Sequence, residues 1–330
     1  MSIRTLVSRI GAVTSGVFFF CAAASGQVGV TGGGYRGPSL SITPGQVVTL
    51  FVHGLTAPVA EEIATSAPLP TKLGGFEIML RQGGRAPLPV PIFGIKPFAT
   101  CEPASSCQGG AGALITVHIP FDLTLGGNLL CCDAAIAVYQ EGQKRLETRV
   151  HPVADQVHLI SDCDDALPRT FVTPVGQGGP CQTPVYDTSG RQISITRPAK
   201  AGDVLTVYGY GLGALDAAIP PGDRVATGEI PTRPLRGAGT IWARYNFAAN
   251  AGPSGAGKLQ TGMRFEGHLW SGVIPGAIGL YQVNLKVPAV PPGLPRCGAL
   301  LNEGEMVVSN LTITVGGIAS FDGVRLCVEP

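Results

Sequence analysis

Charge is scarce in this sequence. Acidic and basic residues make up 14% of the 330 positions, 22 against 23, for a net charge of +1. Nucleic-acid partners need a clustered cationic face and solvating tails need runs of one sign, and neither is present. Also missing is an apolar 3.6-residue period sustained over a dozen positions, so long amphipathic helices are not expected. At most one helical turn is expected, in "APVAEEIATSA" (57–67). No C-x-x-C pair occurs and no histidine stands at ligand spacing from a cysteine, which argues against zinc. No G-x-S-x-G elbow occurs past the first 26 residues. No later segment runs eighteen uncharged apolar residues, so no membrane-spanning helix is expected after the leader.

What the chain has in abundance is glycine (47) and proline (28), more than a fifth of all positions, alongside 45% hydrophobic residues. That combination suits many short strands joined by turns rather than disorder. Residues 1–26 differ from the rest. Arg4 and Arg9 precede the apolar run "IGAVTSGVFFFCAAA" (10–24), and small residues surround Gly26. This is the pattern of a secretory signal peptide, and the mature protein is expected to be secreted or extracytoplasmic. Bulky Phe18, Phe19 and Phe20 before Cys21 argue against lipidation there. Residues 27–37 read as a flexible lead-in.

Eight cysteines remain beyond the leader: Cys101, Cys107, Cys131, Cys132, Cys163, Cys181, Cys297 and Cys327. An even count in an exported chain reads as disulfides. Cys163–Cys181 would close a short loop, and Cys297–Cys327 would tie the last strands. Cys101 and Cys107 either meet the adjacent pair Cys131–Cys132 or bridge to each other.

The sequence also repeats itself. "PGQVVTLFVHGL" (44–55) aligns without a gap on "AGDVLTVYGYGL" (201–212), "LITVHIP" (114–120) resembles "QVNLKVP" (282–288), and "AAIAVYQEGQ" from Ala134 resembles "LTITVGGIAS" from Leu311. Three matches in one order imply two tandem units, 38–160 and 161–330, the second longer by its loops. "YQVNLKVP" alternates Tyr281, Val283, Leu285 and Val287 with Gln282, Asn284 and Lys286, the habit of a strand with one buried and one wet face. The fold class expected is all-β, two tandem immunoglobulin-like antiparallel β-sandwiches. "ITPGQVVTLFVHGL", "LPTKLGGFEIML", "PAKAGDVLTVYGYGLG" and "PGAIGLYQVNLKVP" together resemble an uncharacterised Ig-like family, the Solibacter-type C-terminal domain of exported acidobacterial proteins. The resemblance implies the same fold and an extracytoplasmic setting, and carries no catalytic residues.

Several stretches imitate chemical motifs. "GPSGAGKL" matches G-x-x-x-x-G-K at Gly252, Gly257 and Lys258, but a phosphate loop needs Ser or Thr next and a helix behind it. Position 259 is Leu, and "LQTGMRFEGHLW" alternates Met263, Phe265 and Leu269 against Arg264, Glu266, His268 and Trp270. A Gly-rich hairpin and no nucleotide are expected. "GYGLG" (209–213) reads as a strand end turning sharply, not a dinucleotide loop. Asp162, Asp164 and Asp165 cluster without EF-hand spacing, so calcium competes with a solvated turn. The histidines at 53, 118, 151, 158 and 268 show no pairing with an activated nucleophile, and no cofactor is expected.

Aromatics carry the binding expectation. In "IWARYNF", Ile241, Ala243, Tyr245 and Phe247 should face the core, leaving Trp242 outside with Arg244 and Asn246; Trp270 is placed similarly on the next strand. An exposed aromatic among polar groups suits a sugar ring or a protein anchor. The expected function is a non-enzymatic exported protein for adhesion or surface assembly, bound to a surface protein or polysaccharide. Alternatives are a carbohydrate-binding module using Trp242, Arg244 and Trp270, and an exported hydrolase with its site where the two units meet.

Overall fold

The computed structural model of the chain describes residues 28–32, 41–55, 57–98, 111–124, 134–160, 183–215, 218–223, 230–231, 241–247, 263–299, 309–315, 318–319 and 324–329. Among these residues there is no helix, and the chain is all-β, as expected. The stretch expected to offer a helical turn instead holds a short strand, Glu62–Ile63. Strand partners decide this against the weak local helix signal, because the segment pairs with the strand running from Ile92. Residues 28–32, within the lead-in read as flexible, form a strand.

The first part of the chain builds β1 (Val28–Gly32), β2 (Ser41–Ile42), β3 (Val47–Leu55), β4 (Glu62–Ile63), β5 (Lys72–Leu73), β6 (Phe76–Gln82), β7 (Leu88–Pro89), β8 (Ile92–Phe98), β9 (Ala111–His118), β10 (Ala134–Gln140) and β11 (Gln143–Pro152). They form two sheets, β1-β3-β9-β8-β4 and β2-β11-β10-β6-β5, with β7 on β6. Val48, Leu50, Val52, Ile115 and Val117 of the first sheet meet Phe76, Ile78, Leu80, Ile136 and Val138 of the second in one buried cluster. That is sheet-on-sheet packing, and each such side chain contributes about 1.5–3 kcal/mol by leaving water.

The second part builds β12 (His158–Leu159), β13 (Tyr186–Asp187), β14 (Ala199–Lys200), β15 (Val204–Tyr210), β16 (Ile230–Pro231), β17 (Ile241–Asn246), β18 (Met263–Val273), β19 (Tyr281–Lys286), β20 (Ser309–Val315), β21 (Ile318–Ala319), β22 (Val324–Leu326) and β23 (Val328–Glu329). One sheet runs β12-β15-β19-β18-β17-β20-β21, and β14 pairs with β23. The eleven-residue β18 pairs with β17 through Met263–Gly267 and with β19 through His268–Val273. Within the pairing to β19 the register slips between His268 and Trp270, leaving Leu269 unpaired there. Such a bulge bends a strand and increases its twist, so the sheet folds over its own inner face. Accordingly the Tyr245 hydroxyl of β17 donates to the Lys286 carbonyl of β19 at 3.0 Å, although β18 lies between those strands. Cys297 is bonded to Cys327, as expected, and closing that 30-residue separation contributes about 3.6 kcal/mol in the chain-entropy treatment. The other six cysteines beyond residue 26 lie outside the described residues.

The repeat seen in the sequence is repeated in the pairing. Val47, Val48 and Thr49 of β3 stand opposite His118, Val117 and Thr116 of β9. The aligned Val204, Leu205 and Thr206 of β15 stand opposite the aligned Lys286, Leu285 and Asn284 of β19. The bulge repeats too: β8 slips against β9 at Phe93, between partners of Val117 and Thr116, and β18 slips against β19 at Leu269, between partners of Leu285 and Asn284. The third matched segment falls on β10 and β20, which pair with β6 and β17.

A smaller apolar cluster joins the two parts: Val47, Leu69 and Phe93 pack with Ile160, Tyr210, Ala277, Ile278 and Leu280. Gly222 sits at its edge with φ +74°. Its N–H donates to His118 Nδ1 at 3.2 Å and its carbonyl accepts from Leu69 N–H at 2.8 Å. A Cβ there would stand 2.7 Å from Pro91 Cβ, so glycine is required by both conformation and space.

Candidate ligand-binding face

Strand β17 alternates as its sequence demands. Ile241, Ala243, Tyr245 and Phe247 are buried, and Trp242 is 42% exposed. Arg244 is half-buried on the same side as Trp242, whereas Asn246, expected outside, is buried near the strand end. Trp242 stands opposite Gly267 of β18. No atom lies within 4 Å of where a Gly267 Cβ would sit, so the ground beside the indole is open.

On β18 the bulge overturns simple alternation. Leu269, which the alternation set against Trp270, is 55% exposed: it follows Gly267 on the outer face and is itself left out of the ladder. The slip carries Trp270 onto the outer face, where it stands opposite Asn284. Asn284 in turn faces Thr206, and Thr206 faces Tyr186. Trp270, Asn284, Thr206 and Tyr186 therefore form one row across four strands. Three inter-strand spacings make it about 14 Å long. Gln282 and Tyr208 stand opposite each other in the adjoining row.

The polar groups in these rows are organised by one another. The Thr206 hydroxyl donates to Asn284 Oδ1 at 3.1 Å, and Gln282 Nε2 donates to the same oxygen at 2.8 Å. With that oxygen doubly engaged, the Asn284 amide presents its N–H donors to whatever lies on the face. These rows, with indole and phenol rings between uncharged amides and hydroxyls, offer stacking and hydrogen bonding. The outer face in the first part of the chain is of another kind. It carries the ion pairs Lys72–Glu77 at 3.1 Å, Arg81–Glu147 at 3.8 Å and Lys144–Glu147 at 2.8 Å. The Lys144 hydrogen bond holds the Glu147 carboxyl below its ordinary range.

The remaining sequence candidates are distributed elsewhere. β17 and β18 are antiparallel neighbours with Asn246 opposite Met263, and the chain is in a strand five residues past Lys258. Lys258 itself lies outside the described residues, as do Asp162, Asp164 and Asp165. The glycines of "GYGLG" serve close packing: a Gly211 Cβ would fall 2.1 Å from the Gln156 carbonyl oxygen. His53 and His151 are half-buried in strands, and His158 is buried.

His118 is the histidine whose setting was least legible. It ends β9 and is fully buried where the two parts meet, edge-on to Phe121 at 5.3 Å. Because Gly222 N–H donates to Nδ1, the proton resides on Nε2. The Gly45 carbonyl lies near enough to favour that proton slightly, but not in good hydrogen-bond geometry, so Nε2 is left unpartnered. Burial dominates and pushes the imidazole down to about 4. On β18, burial likewise lowers His268, against the Ile241 carbonyl beside its Nδ1.

The chain matches no protein-family model and no curated protein.

Proposed function

We propose that this chain is an exported, non-enzymatic binding protein that recognises polysaccharide on the outer face of the β15-β19-β18-β17 sheet. Its wider role is adhesion or assembly at a surface. The leader-like first 26 residues and the resemblance to the Solibacter-type Ig-like family motivate the setting outside the cytoplasm. The observation that carries the reading is Trp270 in register with Asn284 and Thr206, with Trp242 exposed on the neighbouring strand opposite Gly267, three residues before Trp270 along β18. Flat rings beside fixed amides match the alternation of C–H faces and hydroxyl edges on a sugar chain.

Affinity electrophoresis of the mature chain through gels cast with neutral and acidic polysaccharides tests this. Retention by at least one polymer is expected, and Trp242→Ala or Trp270→Ala should weaken it about tenfold. No retention anywhere, or equal retention by the double variant, rejects the reading.

A further inference from the structure

Where the Trp270–Asn284–Thr206–Tyr186 row ends, the surface sinks into a cleft of about 470 Å³. Its walls include Tyr186, Tyr208, Thr206 and Thr188, and its apolar lining includes Ile160 and Leu280. The volume lies within the usual range for small-ligand sites. The Tyr186 and Tyr208 rings meet edge-to-face with centroids 5.9 Å apart, which fixes both. Each ring is half-buried and presents its remaining surface to the cleft.

The charge inside the cleft is already spoken for. Among the described residues Asp187 is its one carboxylate. Asp187 Oδ1 accepts from Ser189 N–H at 2.8 Å, from the Ser189 hydroxyl at 2.6 Å and from Arg191 N–H at 3.0 Å. Oδ2 accepts from Arg191 Nε at 3.0 Å and is paired with Nη2 at 3.0 Å. The Ser189 hydroxyl first, and then the Arg191 backbone, hold the carboxyl far below its ordinary range. This carboxylate shapes the turn after β13 and has little left for a cationic ligand. Among the described residues no lysine, arginine or histidine lines the cleft, so they offer an anionic ligand no counter-charge either. What remains is phenol rings, hydroxyls and an aliphatic lining, which together fit a ring with apolar C–H faces and a polar, uncharged rim.

We infer that this cleft is a subsite for an uncharged sugar ring, receiving the end of a glycan whose body lies along the Trp270 row. The inference rests on the reading proposed above and adds two claims, end-on recognition and neutrality. Continuity with the row supports the first: Tyr186 and Thr206 belong to both row and cleft. The satisfied carboxylate and the absence of a cation among the described lining residues support the second.

Isothermal titration of the mature chain with short cello-, xylo- and malto-oligosaccharides, beside oligogalacturonates and chitosan oligomers, tests the inference. A neutral series should bind, and the two charged series should bind at least about tenfold more weakly. Tyr186→Ala and Tyr208→Ala should each weaken the neutral oligomer about tenfold or more. Tyr208→Phe, which keeps the ring and the fold, should lose only part of that. Lys144→Ala, on the ion-paired outer face of the first part of the chain, should leave both short-oligomer affinity and polymer retention unchanged. If polymers are retained but no short neutral oligomer binds, or if the tyrosine variants bind it as well as the parent, the cleft inference falls and the platform reading stands. If charged oligomers bind best, neutrality is wrong. If nothing is retained or bound, both readings fall together.

Discussion

Phe93 and Leu269 occupy the same place in the two parts of this molecule and meet opposite fates. Each is the unpaired residue of a bulge against the strand that follows it in sequence, at matching positions of the repeat. Phe93 is 6% exposed, because it inserts into the contact between the two parts, beside Val47 and Tyr210. Leu269 is 55% exposed. A bulge re-aims a side chain at the cost of one ladder position. In the first part that side chain became an internal joint. In the second the same device turns β18 between sheet layers and delivers Trp270 to the outer face. The difference teaches that the shared pairing frame sets geometry, while the residue placed in the bulge decides what the geometry is used for.

Three substitutional or solution tests bear on this contrast, the largest effect first. Phe93→Ala should destabilise the chain by about 3–4 kcal/mol in denaturant unfolding, since it empties a packed site. Leu269→Ala should stay within about 0.5 kcal/mol. Equal losses would mean that the two bulged residues are not differently used.

The second test concerns the next matched pair, His118 and Lys286. His118 is neutral and buried, with its proton affinity pushed down to about 4 from an ordinary 6.5. The unfolded chain therefore binds a proton that the folded chain refuses between those values. Stability from this site is fully present above pH 6.5 and is lost as pH falls toward 4, by up to about 3 kcal/mol. Thermal unfolding followed from pH 7 to pH 4 should show that decline, and His118→Asn should flatten it. A profile identical in both proteins would show that another group is responsible. Lys286 is exposed, so Lys286→Ala should leave the slope intact.

The smallest effect separates Gly45 from its counterpart Gly202. Both have positive φ, at 68° and 91°. A Cβ on Gly45 would overlap the Phe121 ring, with its nearest atom 2.0 Å away, whereas a Cβ on Gly202 meets nothing within 4 Å. Gly202→Ala should cost about 1 kcal/mol from backbone strain alone, and Gly45→Ala about 2 kcal/mol more. Chemical denaturation of the two single variants gives the difference directly.

Much of the fold was legible because its signals are local. Alternation in Ile241–Phe247 and Tyr281–Val287 put the right side chains inside, and the repeat named strands that do pair in matching register. The Cys297–Cys327 bond followed from parity and position. Failures came where tertiary context outranks pattern. Gly267 shares the outer face with Trp242 and His268 stands opposite the buried Leu285, so β18 before the bulge runs in the opposite phase to the sequence alternation, and the bulge then returns Trp270 to the outer face. The strand at Glu62–Ile63 exists because β8 offers it an edge. Of the binding face, the two tryptophans were found from neighbouring polar residues. Tyr186, Thr206 and Tyr208 were missed because β13 and β15 reach Trp270 only through pairings far apart in sequence.

One feature common to both parts bears on how the chain would respond to tension. In each, a short strand near the start lies parallel to the last strand: β2, which follows β1, beside β11, and β14, which follows β12 and β13, beside β23. Pulling a unit by its two ends drives such parallel neighbours past each other, so their hydrogen bonds share the load instead of opening one after another. In the second unit the last strand directly follows Cys327, whose covalent link to Cys297 would take up the force once those bonds give way. A protein tethering a surface to a polymer would thus resist stretching along its own length more firmly than peeling from the side.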